Sequence, residues 1–166
     1  MGEEIVSLEE IHYEFWNKFV NKVFNDSEFK NNFNYRMPLN KSYYDLFWGN
    51  KDIHLCLRHN IKENYVSVEI YIEENKEIFK YLLINKNEIE KLYGKELTFT
   101  KVKGKVGKAR KIYDVYTDGE TSEKNTWNKY IKWIRDTALK MKEIVEIFYK
   151  KLDKDIIFNA FHMKGK

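Results

Sequence analysis

The stretch KVKGKVGKARKI, from Lys101 to Ile112, combines residue types that could bind phosphate groups. It has six cationic side chains and two glycines in twelve residues, and it contains no acid. Cationic side chains attract phosphate oxygens whatever the base sequence, and glycines permit the backbone conformations of tight turns. The candidate nucleic-acid-binding residues are therefore its cations: Lys101, Lys103, Lys105, Lys108, Arg110 and Lys111.

Two known phosphate-binding motifs are similar to parts of this stretch, but both require a neighbouring helix that the sequence does not predict here. Gly104–Gly107 has the G-x-x-G spacing that clamps a nucleic-acid backbone in KH domains, where it lies between two helices. Gly107-Lys108 matches the end of a P-loop, which continues with Ser or Thr into a helix, whereas Ala109 follows here. Both flanks have strand patterns, so we interpret the stretch as a basic hairpin turn. Its alternatives are a solvated turn and a sequence-independent phosphate contact.

A second candidate chemistry is that of a small metal-dependent nuclease. Such enzymes hold magnesium with an acid from one strand and an acid-x-lysine motif from the next. Glu74-Asn-Lys76 has this pattern, and Asp45 or Asp52 could supply the other acid. The triplet falls between a strand and a helix, and in a chain with 34% charged residues such triplets arise by chance. We therefore assign no catalytic residue.

Histidine and cysteine give a third candidate. His54, Cys56 and Arg58 alternate on one strand face, with His59 beside them, while His12 and His162 have no partner in sequence. A zinc site or a nucleophile would need a further ligand or an orienting acid, which the spacing does not supply. We expect a polar outer strand face that holds no metal or cofactor.

The next strand has its own polar face, made of tyrosine, serine and glutamate. Tyr65, Ser67, Glu69, Tyr71 and Glu73 alternate along it. Outward-facing rings could stack on bases, but two acids would repel phosphate. The sequence therefore argues against this face as a nucleic-acid platform.

Composition limits the class of protein. The 166 residues carry a net charge of +4, and because Lys101–Lys111 contributes +6, the rest sums to −2. With 43% hydrophobic residues, one domain over residues 1–166 is expected. The lone Cys56 excludes an intramolecular disulfide, and no signal peptide or long apolar run is seen, which predicts a cytoplasmic protein without a membrane partner.

Hydrophobic periodicity and capping residues predict the elements that position these groups. Ser7 begins a helix that runs to about Phe24, and Asn75 begins one that ends at Gly94. Thr121 and Ser122 are the candidate N-caps of the last helix, whose apolar period runs from Trp127 to about Leu152. Strands are expected over 43–48, 53–57, 66–72, 96–102 and 110–117. The order α-βββ-α-ββ-α predicts an α+β two-layer sandwich, in which three helices cover a mostly antiparallel sheet of about five strands. We expect a short helical turn within 25–42, and an extra turn or strand in the extension 153–166.

Several of these segments together resemble the DUF4268 family, over about Leu8 to Leu152. The matching features are Glu14-Phe-Trp16 with Phe19, the strand Val66–Ile72, the helix with Phe79, Leu82 and Lys86–Glu90 before Gly94, the strand Ala109–Ile112, and Trp127 with Trp133. The name denotes a domain of unknown function. Its members stand alone or follow a domain similar to PD-(D/E)xK nucleases.

The resemblance implies a link to nucleic-acid transactions or host defence, and it supplies no catalytic residue. Arg110, Glu69 and Glu90 are the charged positions that match the family pattern. Our hypothesis is a non-enzymatic accessory domain that contacts DNA or RNA backbone through the basic hairpin, or that joins a nuclease-type protein. The alternatives are a protein-interaction or homodimerisation module and a small metal-dependent nuclease.

Overall fold

Five strands form one antiparallel sheet in the order β1-β2-β3-β5-β4. The computed structural model describes residues 5–102 and 108–164, with side chains described up to residue 155. The strands are β1 Tyr43–Leu46, β2 Ile53–Asn60, β3 Tyr65–Ile72, β4 Thr98–Lys101 and β5 Arg110–Tyr116. β3 is the central strand and pairs with β2 on one side and β5 on the other. This confirms the predicted α+β sandwich with a five-stranded sheet.

The helices begin and end near the predicted positions, except that the last one begins at Trp127, after a short 3-10 turn, instead of directly after Thr121 or Ser122. They are α1 Leu8–Val23, α2 Ser27–Asn32, α3 Lys76–Ile84, α4 Lys86–Tyr93 and α5 Trp127–Lys164. The Ser7 hydroxyl accepts a hydrogen bond from the Glu10 N–H at 3.2 Å. Asn75 caps α3 in the same way, and Gly94 ends α4 with a φ of +102°, a left-handed conformation that glycine adopts without strain.

Five α-helices lie in the described ranges: the three predicted ones, of which one is divided in two, and α2, which is the short helical turn expected within 25–42. The helix expected from Asn75 to Tyr93 divides at Asn85, whose side-chain amide donates to the Tyr81 carbonyl at 2.8 Å. Asparagine side chains compete in this way with the helical backbone. In the C-terminal extension, α5 continues unbroken to Lys164, where we expected a separate turn or strand.

The described helices cover one face of the sheet. Alternate strand residues point into a core with α1 and α5, where aromatic rings from the helices pack against aliphatic side chains of the strands. Its most deeply buried members include Phe15, Trp16, Phe19, Leu55, Val68, Ile112, Trp127 and Tyr130. The other face, here called the open face, has a small separate apolar cluster of Cys56, Tyr71, Ala109 and Val102. Across residues 5–102 and 108–164, no helix is both long and apolar enough to span a membrane.

Candidate nucleic-acid interface

The basic stretch lies between two paired strands. Lys101 of β4 is opposite Arg110 of β5, and the next backbone bond joins the Val102 N–H to the Ala109 carbonyl at 3.0 Å. Strands on both sides confirm the predicted flanks, and they differ from the helices that a KH clamp or a P-loop requires. Both glycines, with Lys103 and Lys105, fall in residues 103–107, which lie outside the described part of the chain.

The four described cations of the stretch have different surroundings. Lys101 and Lys108 are exposed. Arg110 is half-buried and donates to the Ala109 carbonyl at 3.1 Å. Lys111 points to the open face, where its Nζ lies 3.4 Å from the Glu69 carboxylate and 4.8 Å from the centre of the Tyr113 ring. Lys111 is thus held by the sheet, whereas Lys101 and Lys108 face solvent.

Strand register aligns the open-face side chains in rows that cross the sheet. One row contains Asp45, Cys56, Glu69 and Tyr113, and the next contains His54, Tyr71 and Lys111. His54, Cys56 and Arg58 share this face, as the alternation predicts. His59 lies on the opposite face, where it stacks on Phe15 of α1.

Glu69 is the most buried acid of the open face, with a relative exposure of 1%. Both of its carboxylate oxygens accept from the Nε of Arg58 at 3.0 Å, and one also accepts from the Ser67 hydroxyl at 3.1 Å. With Lys111 as a second cation, the charge of Glu69 is more than balanced. The repulsion of phosphate that the sequence predicts for this face therefore does not come from Glu69.

A cavity of about 390 Å³ opens beside this ion-pair network, over β1, β2 and the end of β3. It is lined by aromatic and charged groups, including Tyr43, Phe47, His54, Tyr71, Asp45, Arg58 and Glu73. The His54 ring stacks on Phe47, with ring centres 4.7 Å apart, and its Nε2 lies 3.6 Å from the Asp45 carboxylate. Neither the cavity nor the network is encoded in a local motif, because each combines residues from several strands.

Asp45 stays ionised in this cavity. Burial raises the pKa of its carboxyl group, but the hydrogen bond and the charge of His54, with the charge of Arg36, outweigh burial and hold the pKa below its usual value. The cavity therefore has a permanent acid on its β1 side.

Cys56 is expected to be unreactive in the folded protein. It has a relative exposure of 4%, and burial raises the pKa of its thiol, so little thiolate forms near neutral pH. A colorimetric disulfide reagent at pH 8 should label it at least 100-fold more slowly in buffer than in guanidinium chloride. Rapid labelling of the native protein would contradict this expectation and restore Cys56 as a candidate nucleophile.

The acid-x-lysine triplet Glu74-Asn-Lys76 joins the end of β3 to the start of α3. Glu74 is exposed after β3, Asn75 caps α3, and Lys76 is its exposed first residue. Within the described side chains, no three His, Cys, Asp or Glu residues are grouped in a way that could hold a metal ion. The triplet thus lies at the strand end and helix cap, the position that its sequence context predicts.

A buried histidine pair was missed by sequence reasoning, which gave His12 no partner. The Nδ1 atoms of His12 and His59 are 3.1 Å apart, and Nε2 of His59 lies 2.7 Å from the Thr121 carbonyl. A signal existed: His12 precedes Phe15 and Trp16 at the three- and four-residue spacing of the buried face of α1. Its partner could not be inferred, because it comes from β2.

The family profile of DUF4268, a domain of unknown function, matches residues 11–148. The chain belongs to the DUF4268 family. This confirms the resemblance seen in the sequence. No protein with curated annotation shows significant similarity to this DUF4268 chain. Among solved structures, it is similar to YbjN, a "putative transcription regulator" from E. coli, with 5% identity, a TM-score of 0.47, and coverage of 80% of this chain and 87% of that one.

Proposed function

We propose that this DUF4268 domain is a non-enzymatic accessory domain that contacts the backbone of DNA or RNA through the β4–β5 hairpin. The observation that carries the proposal is the concentration of charge. Six cations lie in the sequence from Lys101 to Lys111, the strands on either side of it pair up to Val102 and Ala109, and the rest of the chain has a net charge of −2. Cations that face solvent beside two paired strands, as Lys101 and Lys108 do, can contact a phosphate backbone.

The surroundings of the described cations suggest which ones make the contact. Lys101 and Lys108 are exposed near the base of the turn, and they are expected to release counterions when they meet phosphate. Lys111 is already held by Glu69 and Tyr113, so it would contribute long-range attraction more than direct contact. Binding of this kind depends on charge and not on base sequence.

The test replaces Lys101, Lys103, Lys105 and Lys108 by Gln, which leaves Arg110 and Lys111 in place. Binding of a fluorescent oligonucleotide is measured by anisotropy over a series of salt concentrations. The plot of log affinity against log salt has a negative slope, and each lost phosphate contact should make it less steep by about 0.7 to 0.9. We expect the magnitude of the slope to decrease by up to about 3, and the affinity at 0.1 M salt to fall at least tenfold.

A matched control removes the same charge elsewhere. Lys62, Lys80, Lys91 and Lys150 are exposed, and they form no ion pair with the described residues. Replacing these four by Gln should change the slope by less than 1. Equal losses in the two variants would show that net charge alone attracts the nucleic acid, and would remove the hairpin from the proposal. Magnesium-dependent cleavage of the same oligonucleotides would favour the nuclease alternative.

A nuclease-type protein partner and a role in host defence are further parts of the proposal, and both rest on the family resemblance. We also propose a cytoplasmic location, where such partners act. Copurification of a tagged chain with a nuclease from its native cells would support the first part. A chain recovered alone, and as a monomer by light scattering, would count against it and against homodimerisation.

A further inference from the structure

We propose that the open-face cavity binds one unpaired base of a single-stranded nucleic acid, with guanine preferred over the other bases. This inference rests on the proposed function, because it assigns the hairpin to the phosphates and the cavity to a base of the same strand. Duplex DNA hides its bases within the stack, so such a site would bind single strands selectively.

The cavity has the size and the walls that a base requires. Its volume of about 390 Å³ lies within the range of small-molecule sites. Phe47, His54 and Tyr71 form a connected series of rings, since His54 lies 4.7 Å from Phe47 and 4.9 Å from Tyr71 between ring centres. Tyr43, which is 38% exposed, lies at the rim. Exposed aromatic rings stack on bases of any sequence, and Tyr43 is the exposed ring of this set, because Tyr71 is buried and the His54 ring lies between Phe47 and Tyr71.

Arg58 supplies the group that could select guanine. Its Nε holds both oxygens of Glu69, so the orientation of the guanidinium is fixed by a nearly buried carboxylate. Its Nη1 and Nη2 groups have no hydrogen-bond acceptor among the described residues. The side chain is 32% exposed and lines the cavity. Two parallel N–H donors of this type match O6 and N7 of guanine.

The acids of the cavity decide which part of a nucleotide enters it. The lining has three acids, Asp45, Asp52 and Glu73, against two cations, Lys51 and Arg58, so it favours a neutral base over a phosphate, and the acid oxygens can accept hydrogen bonds from the N–H groups of a base. The strand's phosphates are therefore directed away from the cavity and towards Lys101 and Lys108. Lys101 lies on β4, which is three strand positions from β2 beneath the cavity, or about 14 Å, so a strand of a few nucleotides can reach both.

The experiment compares short fluorescent oligonucleotides by anisotropy: single strands of dG-containing, dC, dT and dA sequence, and a duplex. The Arg58→Lys variant keeps a cation for Glu69 but loses the pair of parallel donors. We expect it to bind the guanine-containing strand about tenfold more weakly and the other strands as the wild type does. The Tyr43→Ala variant changes an exposed rim residue, and it should weaken all single strands several-fold without changing duplex binding.

The hairpin Gln variant separates this proposal from the proposed function. If it loses binding while the wild type shows no preference for single strands or guanine, the hairpin proposal stands and the cavity proposal is overturned. If the wild type binds no oligonucleotide, both are overturned. A loss in Arg58→Lys that is equal for every oligonucleotide would show a merely structural role, and would also overturn the base site.

A second measurement does not depend on the hairpin. Guanosine monophosphate is titrated into labelled protein, and backbone amide shifts are followed by NMR. We expect shifts around Tyr43, His54 and Arg58 that are absent with cytidine monophosphate. The control ligand is argininamide, a small molecule with the side chain of arginine. If argininamide shifts these resonances and guanosine monophosphate does not, the cavity is a site for cationic side chains of a protein, and the base proposal is wrong.

Discussion

Acidification from pH 7 to pH 4 should lower the free energy of unfolding by roughly 3 kcal/mol through His59 alone. His59 is completely buried, between Phe15, Trp16 and Trp127. Burial, and to a smaller degree the neighbouring His12, lower the pKa of His59 from 6.5 to about 4, against the opposite effect of the bond to Thr121. The imidazole is therefore neutral in the folded protein at neutral pH.

The hydrogen bonds fix which nitrogen atoms carry protons. A carbonyl oxygen only accepts, so Nε2 of His59 must donate to Thr121, and its Nδ1 is then an acceptor. The Nδ1 of His12 must accordingly be the donor in the contact between the two rings. A proton added to Nδ1 of His59 would remove this acceptor and place a charge among aromatic rings.

The sign of the effect follows from proton binding. Between pH 6.5 and pH 4 the unfolded chain binds a proton at residue 59 and the folded protein does not, so stability falls as the pH falls through this window. Above pH 6.5 both states are neutral and the contribution is fully present. Burial also lowers the pKa of His12, which adds a loss of the same sign.

The measurement is urea unfolding, followed by tryptophan fluorescence, at pH values from 7 to 4. His59→Gln is the control, since its side-chain amide can still donate to Thr121 but does not titrate. The wild type should lose stability over this range more steeply than the variant. Equal slopes would contradict the assignment. If the variant does not fold, an NMR titration of the wild type serves instead, and a His59 pKa near 6.5 would contradict it.

The second large effect concerns Glu69: we expect Glu69→Ala to destabilise the protein by about 3 kcal/mol. The substitution leaves Arg58 and Lys111 facing each other without the carboxylate between them. Removing one partner of a buried ion pair costs about 3 to 5 kcal/mol. The lower figure applies here because the two cations, with side chains 32% and 21% exposed, can regain some water.

Two variants test whether the charge itself causes this effect. Glu69→Gln keeps the shape and the acceptor oxygen, so it should cost less, about 2 kcal/mol. Glu73→Ala removes an exposed acid from the same strand face, and it should change stability by less than about 0.5 kcal/mol. Urea unfolding at pH 7 gives all three values. A loss for Glu69→Ala no greater than that for Glu73→Ala would refute a stabilising role for the network.

Much of the fold could be predicted because its signals are local. The alternation of β2 and β3, the caps at Ser7 and Asn75, and the stop at Gly94 each depend on a few neighbouring residues. The strands flanking the basic hairpin were predicted on the same basis. The break at Asn85 is not predicted, because the hydrophobic period continues across it; there the asparagine side chain bonds to the Tyr81 carbonyl, a competition with the helical backbone that periodicity does not show.

The candidate site was decided by tertiary structure. The charge concentration in Lys101–Lys111 is a property of the sequence, but the open-face network depends on the placement of β3 between β2 and β5. That order brings Glu69 to Arg58, 11 residues away, and to Lys111, 42 residues away. His12 meets His59 across 47 residues. Strand order and helix docking follow from packing of the whole core, so local spacing could identify the hairpin but not the ion pairs or the cavity.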